Sequence, residues 1–394
     1  MKLLQINSTC GFGSTGRIAA DILNTVRQNG DDGIICYGRG VAPSGVPSYK
    51  TGSETLVKIH GVLSRITDRQ GFYSTKATKK LIREIEEYNP DIIHLHNIHG
   101  YYLDIRVLFD YLKKCGKPVV WTLHDCWAFT GHCAYFTASG CEKWKTGCGN
   151  CPSKKEYPQS LIFDNSEKNY SEKKELFTGL VDMTLITPSV WLKELAKKSF
   201  LSEYPIKVIN NGINTDVFKP TESDLRKKYS IENKKIFLGV ASVWEERKGL
   251  SDLIKLASLL KEDEKLVLIG LTGKQISELP NGIIGIERTE SAEELAEIYS
   301  AADVFLNPTY EDNYPTTNLE AIACGTPVVT YETGGSPESL VNGRGISVAV
   351  GDVEAMYKAA QTLVGVKTDN PGDFDARKKY SEYIALYNNL LAKK

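Results

Sequence analysis

The stretch DVFLNPTYEDNYPTTNLEAIACGTPVVTY, residues 303–331, carries the pattern that decides the fold. DVFLNP predicts a buried strand, NLEAIAC a short helix that ends before Gly325 and Pro327, and PVVTY a second strand. A strand, a helix and a strand in this order form a β-α-β unit with parallel strands. The loop TYEDNYP therefore lies at the carboxyl edge of a sheet, and it carries the carboxylates of Glu311 and Asp312.

The same alternation continues on both sides of this stretch. In the second half it includes the strands KIFLGVAS and KLVLIG and the helices LSDLIKLASLLK and AEELAEIYSAA. In the first half it includes the strands KLLQIN, DGIICYG, PDIIHLH, KPVVWTLH and MTLITPS and the helix RIAADILNTVRQNG. The predicted fold class is therefore α/β, with two facing Rossmann-like domains and a cleft between them at the carboxyl ends of both sheets.

The segment IKVINNGINTDVFKP has the Asn, Gly and Pro content of a linker and predicts the boundary between the domains. We expect an N-terminal domain at residues 1–205, with a cysteine-rich insertion at 126–152, and a C-terminal domain at 206–370. For residues 371–394 we expect a helix that packs back on the N-terminal domain.

The composition is that of an enzyme-sized globular protein. A chain of 394 residues with 41% hydrophobic and 25% charged residues can bury the cores of two domains. No stretch reaches the run of about 18 apolar residues typical of a membrane span, and the N-terminus lacks the apolar run of a signal peptide. We therefore expect a cytoplasmic protein whose nine cysteines are reduced thiols or metal ligands.

The charge is divided unevenly between the two halves. Residues 1–204 contain 26 Lys and Arg against 21 Asp and Glu, net +5, and the remainder contains 22 against 28, net −6. Because the basic excess is small, we expect no nucleic-acid partner. The lysine pairs of the first half are consistent with peripheral contact with an anionic membrane, although solvated surface lysines are the more ordinary explanation.

The loop GFGSTG after the first strand matches G-x-G-x-x-G through Gly11, Gly13 and Gly16. Three interpretations stay open. The loop is a tight turn that needs glycine, or its amides and the following helix N-terminus approach a phosphate or substrate oxygen. Alternatively it binds the cofactor of an NADP-dependent oxidoreductase, with Arg39 at the end of the second strand in place of the usual acidic residue.

Charged residues also cluster in the second half. WEERKG places Arg247 and Lys248 just before a helix, where two cations and a helix N-terminus converge on an anion such as a diphosphate. Ordinary roles exist for the nearby acids, because Thr317-x-x-Glu320 matches a capping box and Asp312 suits an Asx-turn. Carboxylates beside a phosphate-binding cation pair are better explained by the hydroxyl groups of a sugar and a ribose.

Four segments resemble the family 4 glycosyltransferases of GT-B fold. They are NNGINTDVF (210–218), RKG (247–249), AEELAEIYSAADVFLNPTYEDNYPTTNLEAIACGTPVV (292–329) and TGGSPE (333–338). The resemblance covers nearly the whole chain. It implies a retaining, metal-independent glycosyltransferase of the hexosyltransferase type, which moves a sugar from a nucleotide-diphosphate donor to a glycan or lipid-linked glycan acceptor.

The resemblance also implies roles for single residues. The N-terminal domain becomes the acceptor side and the C-terminal domain binds the nucleotide sugar. The family's E-x7-E motif falls on Asp312 and Glu320, its lysine falls on Lys248, and its arginine falls on Ser242, so that Arg247 is expected to take part of the diphosphate contact. The other expected site residues are Gly13 and Gly16 at the donor phosphates, His124 at the donor sugar or acceptor hydroxyl, and Glu311, Asn313 and Asn318 beside the motif.

Of the other histidines, we expect His94 and His96 to lie one in the core and one near the cleft. Enzymes of this kind commonly build cell-surface polysaccharides, which implies a place at the inner face of the cell membrane. The alternatives that remain are the NADP-dependent oxidoreductase and a non-catalytic carbohydrate-binding protein.

The segment HDCWAFTGHCAYFTASGCEKWKTGCGNCP, residues 124–152, is not required by the family pattern and contains five of the nine cysteines. Cys148-x-x-Cys151 has the spacing of a zinc half-site, and Cys133 and Cys141 could complete a structural zinc site, with Cys126 and His132 as substitutes. Buried free thiols are an equal alternative, and a redox pair is a third. The glycine-rich segment does not predict a core of its own, so its aromatic residues are expected to stack on sugar rings at the acceptor side.

Overall fold

The computed structural model describes residues 1–340, 343–369 and 372–393, and it divides into two compact units. The first unit is Met1–Asn210 together with Tyr380–Lys394, and the second is Asn211–Lys379. The first division lies slightly beyond the predicted boundary at 205, and the predicted boundary at 370 lies outside the described residues. The last helix, Ala376–Leu391, continues through the second division.

The chain enters and leaves the second unit at one place. Ile213 and Asp375 form a parallel bridge, in which Ile213 N donates to Phe374 O at 2.7 Å and Ala376 N donates to Ile213 O at 2.8 Å. Gly212 is needed here, since a Cβ would lie 2.6 Å from the Cα of Ala376. The second unit is therefore inserted into the first, with its own two ends hydrogen-bonded together.

The first unit contains a seven-stranded sheet in the order β3-β2-β1-β4-β5-β6-β7, and every pair is parallel. Its strands are β1 (Lys2–Thr9), β2 (Asp32–Arg39), β3 (Ser48–Lys50), β4 (Ile92–Leu95), β5 (Val119–Thr122), β6 (Met183–Thr187) and β7 (Ile206–Val208). Its helices are α1 (Gly13–Gln28), α2 (Glu54–Thr67), α3 (Thr75–Tyr88), α4 (Ile105–Leu112), α5 (Ser166–Phe177) and α6 (Val190–Ala196). Short 3₁₀ turns cover Trp127–Phe129, Lys143–Lys145 and Phe200–Glu203.

The second unit contains a six-stranded parallel sheet in the order β10-β9-β8-β11-β12-β13. Its strands are β8 (Lys235–Val240), β9 (Glu264–Ile269), β10 (Ile283–Ile286), β11 (Val304–Asn307), β12 (Val328–Tyr331) and β13 (Gly345–Val348). Its helices are α7 (Leu225–Lys228), α8 (Leu250–Ala257), α9 (Gly273–Ser277), α10 (Ala292–Ala301), α11 (Thr316–Ala323) and α12 (Val353–Leu363), and the last helix of the chain, Ala376–Leu391, is α13.

Both sheets are covered on both faces, which explains their continuous apolar strands. In the second unit Ile236 and Leu238 pack in one core layer, and Phe237, between them, packs in the other. In the first unit all four residues of β4 and of β5 are buried. The predicted α/β class with two parallel-sheet units is thus confirmed.

The order of the strands reverses at one place in each sheet, between β1 and β4 and between β8 and β11. Ligands of open α/β sheets bind beyond the carboxyl ends of the strands at this switch point. The loop Gly11–Gly16 follows β1 and His96 follows β4. Lys248 follows β8 and Asp312 follows β11, so the predicted site residues flank both switch points.

The cysteine-rich segment differs from the expectation. Phe129, Phe136 and Trp144 are buried and pack on one another, with the rings of Phe136 and Trp144 stacked at a centroid distance of 4.9 Å. Trp127 is also buried and packs near Phe177 of α5. The segment does have an aromatic core, which joins that of the first unit, so the prediction that these four rings stack on sugars was wrong.

Candidate functional site

In the second unit, Lys248 and Asp312 form an ion pair at the switch point. Lys248 Nζ lies 2.6 Å from Asp312 Oδ2, and both side chains are only partly exposed. Gly249 follows Lys248 in the left-handed conformation, where a Cβ would lie 2.2 Å from the Pro308 carbonyl oxygen. The RKG sequence therefore needs its glycine so that the lysine loop can pack directly against the loop after β11.

The loop after β11 is held by contacts on several sides. Asp312 Oδ1 accepts from Asn313 N at 2.9 Å. In an Asx-turn the carboxylate accepts from the N–H two residues on, whereas here it accepts from the next residue. Gly335 N donates to the Asp312 carbonyl at 3.3 Å, and a Cβ on Gly334 would lie 1.8 Å from the same oxygen. The TGGSPE segment thus braces the backbone of Asp312.

Arg247 is engaged with the same loop. Its guanidinium donates to the Glu311 carbonyl at 3.3 Å and to Glu245 Oε2 at 3.1 Å, and its own carbonyl accepts from Tyr310 N at 2.8 Å. Glu311 is buried. Arg247 therefore ties the lysine loop to the acidic loop, and Ser242, at the family's arginine position, is exposed.

Glu320 is a buried carboxylate in the middle of α11. Its Oε2 accepts from the Tyr299 hydroxyl at 3.2 Å. The N-cap of α11 is Pro315 and has no side-chain cap, so the capping-box alternative through Thr317 was wrong. A buried carboxylate is costly unless it is hydrogen-bonded, and two oxygens accept more than one bond. Tyr299 was not identified from the sequence, because α10 predicted only an apolar face there.

The two predicted asparagines are buried beside this carboxylate. Asn318 accepts from Asn307 Nδ2 at 2.8 Å and donates to Ser339 Oγ at 2.8 Å and to Ser336 Oγ at 3.3 Å. Its amide therefore fixes the start of α11 to β11 and to the TGGSPE turn. The donor-binding role of Asn313 and Asn318 stays a prediction.

In the first unit, the glycine loop makes a tight turn between β1 and α1. Gly11 N donates to Gly16 O at 2.9 Å, and both Gly11 and Gly13 have positive φ. A Cβ on Gly16 would lie 2.6 Å from Thr9 Oγ1, whereas a Cβ on Gly13 would meet no atom within 4 Å. Gly11 and Gly16 are thus needed for the turn itself, and Gly13 leaves open space beside the N-terminus of α1.

A row of hydrogen-bonded histidines lies beside this loop. Gln5 Nε2 donates to the Ala19 carbonyl at 2.9 Å, which turns Gln5 Oε1 toward His96 Nε2, 2.9 Å away. His96 Nε2 therefore carries a proton, and its Nδ1 accepts from His124 Nε2 at 3.1 Å. This chain of bonds selects the tautomer of His124 that is protonated on Nε2.

The row continues into the last helix. His94 Nε2 lies 2.8 Å from Thr122 Oγ1, and His94 Nδ1 lies 2.7 Å from the Tyr387 hydroxyl on α13. His94 and His96 are both fully buried, and the expectation that one of them lies near the cleft stays a prediction. Burial lowers the pKa of His124 to about 4, and burial together with the neighbouring imidazoles lowers the pKa of His94 and His96 well below the usual value. The row is therefore neutral at physiological pH.

Asp125 was missed from the sequence, although it directly follows His124. Its Oδ2 lies 2.9 Å from His99 Nε2, and its Oδ1 accepts from Trp127 N at 2.9 Å. Burial opposes ionisation, yet His99 and the Trp127 N–H hold the pKa of Asp125 below its usual value. His99 Nδ1 in turn lies 3.1 Å from the Tyr157 hydroxyl.

The predicted zinc cysteines come together. Cys133, Cys141, Cys148 and Cys151 line one cavity with His132, whereas Cys126 does not line it. All nine cysteines are free thiols. Within the described ranges, no group of three or more His, Cys, Asp or Glu side chains is placed so that it could hold a metal ion. The zinc site therefore stays a prediction.

Comparison with known proteins supports the resemblance seen in the sequence. The family model described as Glycosyltransferase Family 4 matches residues 16–217, and the model described as Glycosyl transferases group 1 matches residues 234–365. WcaC of Escherichia coli (strain K12), a glycosyl transferase named for colanic acid biosynthesis, is 25% identical over 418 aligned positions, which cover 99% of this chain and 100% of WcaC.

Solved structures show the same fold. A sucrose-phosphate synthase from Thermosynechococcus elongatus superposes with a TM-score of 0.74 at 16% identity, covering 100% of both chains. Anabaena HepE in complex with UDP gives a TM-score of 0.67 at 17% identity and covers 98% of this chain and 99% of HepE. Since the first family model alone spans just over half of the sequence, the chain belongs to glycosyltransferase family 4 and is a glycosyltransferase of GT-B fold.

Proposed function

We propose that this protein transfers a hexose from a nucleotide-diphosphate sugar to a hydroxyl of a growing glycan, with retention and without a catalytic metal. The observation that supports this most is the cluster at the second switch point, where the Lys248–Asp312 pair and the buried Glu320 lie on neighbouring elements. Membership in a glycosyltransferase family leaves no support for the oxidoreductase alternative.

In this proposal Lys248 and Asp312 bind different parts of the donor. A diphosphate takes the Lys248 ammonium away from Asp312, because it offers more negative charge than one carboxylate. The freed carboxylate of Asp312 then accepts from a hydroxyl of the donor sugar. Glu320, already oriented by Tyr299, accepts from the hydroxyls of the ribose. The ligand thus replaces an internal ion pair with two sets of charge-assisted hydrogen bonds.

The reaction breaks the bond between the anomeric carbon and the diphosphate oxygen, and forms a bond from that carbon to the acceptor oxygen on the same face. The acceptor's proton leaves with the diphosphate. Lys248 and Arg247 stabilise the negative charge that develops on the leaving group. In the first unit, the open space beside Gly13 at the N-terminus of α1 keeps the predicted phosphate-binding role of the glycine loop.

In the first unit we propose that His124 positions a hydroxyl group as a neutral hydrogen-bonding residue. The low pKa of its imidazole excludes a positively charged form at physiological pH. His124 therefore orients the hydroxyl group and does not serve as a general acid or base with a pKa near neutrality.

A panel of nucleotide sugars with defined acceptors tests the function, with release of nucleoside diphosphate as the readout. We expect release that depends on the acceptor and persists in excess chelator. Binding of sugars without any release would favour the carbohydrate-binding alternative, and complete loss of transfer in chelator, with the fold intact, would refute metal independence. The name of WcaC supports polysaccharide biosynthesis as the setting, and the UDP bound to HepE supports a nucleoside diphosphate as the carrier.

We further propose that an anionic membrane is the surface on which the acceptor is met. Helix α2 has its polarity reversed, because His60 and Ser64 face the interior while Leu56, Ile59, Val62 and Leu63 are exposed. A second exposed apolar run, Leu161–Phe163, lies beside the end of this helix, since Leu161 N donates to Arg65 O at 2.7 Å and Phe163 N donates to Ile66 O at 3.2 Å.

These seven side chains are between 37% and 62% exposed and form one apolar patch, which we call the α2 patch. Lys58 and Arg65 of the same helix are exposed, and Lys154 Nζ donates to the Ile162 carbonyl at 3.2 Å. An apolar face bordered by cations suits an anionic bilayer surface. A second copy of the chain would bring the same cations face to face across a two-fold axis, which disfavours self-association. No helix in the described ranges is long and apolar enough to cross a membrane.

Co-sedimentation with vesicles tests this contact without requiring activity. The double variant Ile59→Ser/Val62→Ser should lower binding to vesicles of phosphatidylglycerol and phosphatidylcholine by about tenfold or more. Val181→Ser is the control, because Val181 is an exposed apolar residue that is not part of the patch. Equal binding of the patch variant and wild type, or concentration-dependent dimerisation lost in the variant, would overturn the membrane as partner.

A further inference from the structure

The cavity in the cysteine-rich segment is the most unusual feature that the transfer reaction does not use. His132, Cys133, Cys141, Cys148 and Cys151 all line it. Its volume is about 10 Å³, which is the space of a single water molecule or ion. An organic cofactor is therefore excluded by size, and the lining offers one nitrogen and four sulfur donors.

His132 contributes an unsatisfied nitrogen to this cavity. The side chain is 2% exposed, and its Nδ1 contacts the Asp68 carboxylate. A carboxylate accepts, so Nδ1 carries the proton and Nε2 presents a lone pair. Within the described part of the chain, that Nε2 is buried and has no hydrogen-bond partner. Such a buried acceptor is costly and calls for a partner that is absent from the protein itself.

The orientation of His132 is fixed from behind. Asp68 is buried at the end of α2, and its second oxygen accepts from Asn165 N at 2.8 Å. A carboxylate that holds Nδ1–H of a histidine while Nε2 points into a donor-lined cavity is the usual arrangement behind a metal-binding imidazole.

Three sulfurs are brought together by local structure. Cys133 and Cys151 are hydrogen-bonded to each other, and Cys148 Sγ accepts from Gly131 N at 3.2 Å. Gly131 has no room for a side chain, because a Cβ would lie 2.0 Å from the Ser166 carbonyl oxygen. Asn150 adopts a positive φ of 47°, which gives the tight turn between Cys148 and Cys151.

A buried cation lies beside these sulfurs. Lys173 is 1% exposed, and its Nζ donates to the carbonyls of Trp127 at 2.9 Å and Thr130 at 3.1 Å. None of the ion pairs found among the described residues includes Lys173, and the groups that act on it electrostatically are the sulfurs of Cys148 and Cys133 and the carboxylates of Asp68 and Asp125. Three zinc-bound thiolates and one imidazole would leave one net negative charge on the site, which the buried ammonium offsets.

We propose that this cavity binds one zinc ion through His132 Nε2 and the thiolates of Cys133, Cys148 and Cys151, with Lys173 as the counter-charge. Binding forms three zinc–sulfur bonds and one zinc–nitrogen bond, and three thiol protons pass to solvent. Four protein ligands leave no open position, so the ion is structural. As they are placed, these donors do not form a metal-holding group within the described residues, so the proposal requires their side chains to reorient when the ion binds.

Elemental analysis of wild-type protein purified without added metal tests the proposal directly. We expect about one zinc per chain and, after exchange, the thiolate-to-cobalt charge-transfer absorption of a cobalt form. Metal-free folded protein in which the cavity thiols all react with a thiol reagent would overturn the site. This measurement needs no variant and does not depend on the glycosyltransferase activity.

Variants then test the donor set. Cys151→Ser and His132→Gln should lose the zinc, and Cys141→Ser, which changes a cysteine of the same cavity, is the matched control that should keep it. Loss of zinc from Cys141→Ser with retention in His132→Gln would overturn the assignment of His132 and favour four thiolates. Thermal unfolding of each variant shows whether the fold is intact.

Discussion

The polar side chains at the two switch points are stabilised by different kinds of contact. At the second switch point charges are paired with charges or with a hydroxyl, as in the Lys248–Asp312 ion pair and the Tyr299–Glu320 bond. At the first switch point Gln5, His96 and His124 are joined by neutral hydrogen bonds. The second unit is therefore suited to exchange its ion pair for a charged ligand, whereas the first holds a hydrogen-bonding group in one orientation.

The largest effect is expected from Glu320, a buried carboxylate of the second unit. Glu320→Ala removes the carboxylate that we assign to the ribose and should lower kcat/KM by about 1,000-fold or more. Release of nucleoside diphosphate measures it. Glu278→Gln, an exposed carboxylate of the same unit, is the control and should leave the rate unchanged. Wild-type turnover in Glu320→Ala would show that the ribose assignment is wrong.

The next effect concerns stability of the first unit in acid. All six histidines lie between residues 60 and 132, so the second unit has none. Burial lowers the pKa of His60 to about 4, whereas in the unfolded chain it is about 6.5. Between these two pH values the unfolded state binds more protons than the folded state. The contribution of His60 to the free energy of unfolding is therefore fully present above about pH 6.5, and about 3 kcal/mol of it is lost as the pH falls to 4.

Hydrogen exchange at about pH 7.5 and about pH 5 resolves the two units in one experiment. Protection of the first unit should fall in acid more than protection of the second, which is the internal control. His60→Gln should reduce the pH dependence of the first unit. Equal losses of protection in both units would contradict neutral burial of the histidines.

Variants of the Lys248–Asp312 pair should change catalysis and product binding in opposite directions. Lys248→Met should lower kcat/KM by about 100-fold, because it removes the positive charge that stabilises the diphosphate leaving group. Asp312→Asn should also lower kcat, yet it should tighten product inhibition by nucleoside diphosphate, since Lys248 no longer pairs with a carboxylate. Lys274→Met breaks an exposed ion pair with Glu278 and serves as control. Weaker inhibition in Asp312→Asn would contradict the exchange.

The smallest effect tests the neutral row. Gln5→Met removes the acceptor for His96 Nε2–H and should lower kcat by about tenfold with little change in donor KM, because His124 loses its fixed tautomer. Nitrogen-15 NMR of the imidazoles should show mixed tautomers at His124. Gln5→Glu keeps an acceptor and should restore the single tautomer. A single tautomer in Gln5→Met would mean that Gln5 has no positioning role.

The sequence was sufficient to predict those strands and helices that follow a local pattern of apolar residues. Mostly apolar runs such as Ile92–Leu95 predicted the covered strands. The roles of Asp312 and Glu320 come from the family's E-x7-E motif and stay a prediction. Side-chain partners are harder to predict, because Tyr299 meets Glu320 and Gln5 meets His96 only through tertiary packing. Nothing near Tyr299 in the sequence marks it as a partner of Glu320, which lies on the next helix.

Burial explains the wrong predictions as well. Trp144 and Phe136 were expected to face sugars because the cysteine-rich segment has no periodicity, but the two rings are buried and stacked on each other. Helix α2 shows the opposite case, since several of its apolar side chains are exposed. The periodicity of a helix shows that a face is apolar, and only the surrounding structure shows whether that face is covered.

The hydrogen bonds that join Ile213 to Phe374 and Ala376 have a consequence for synthesis of the chain on the ribosome. The second unit is continuous in sequence and can fold as soon as residue 379 has emerged. The first unit begins earlier but is completed later, because Tyr387, the partner of His94, follows the second unit in the sequence. A nascent chain that has reached residue 379 but not Tyr387 would therefore carry a complete second unit within an incomplete first unit, in which His94 still lacks its tyrosine partner.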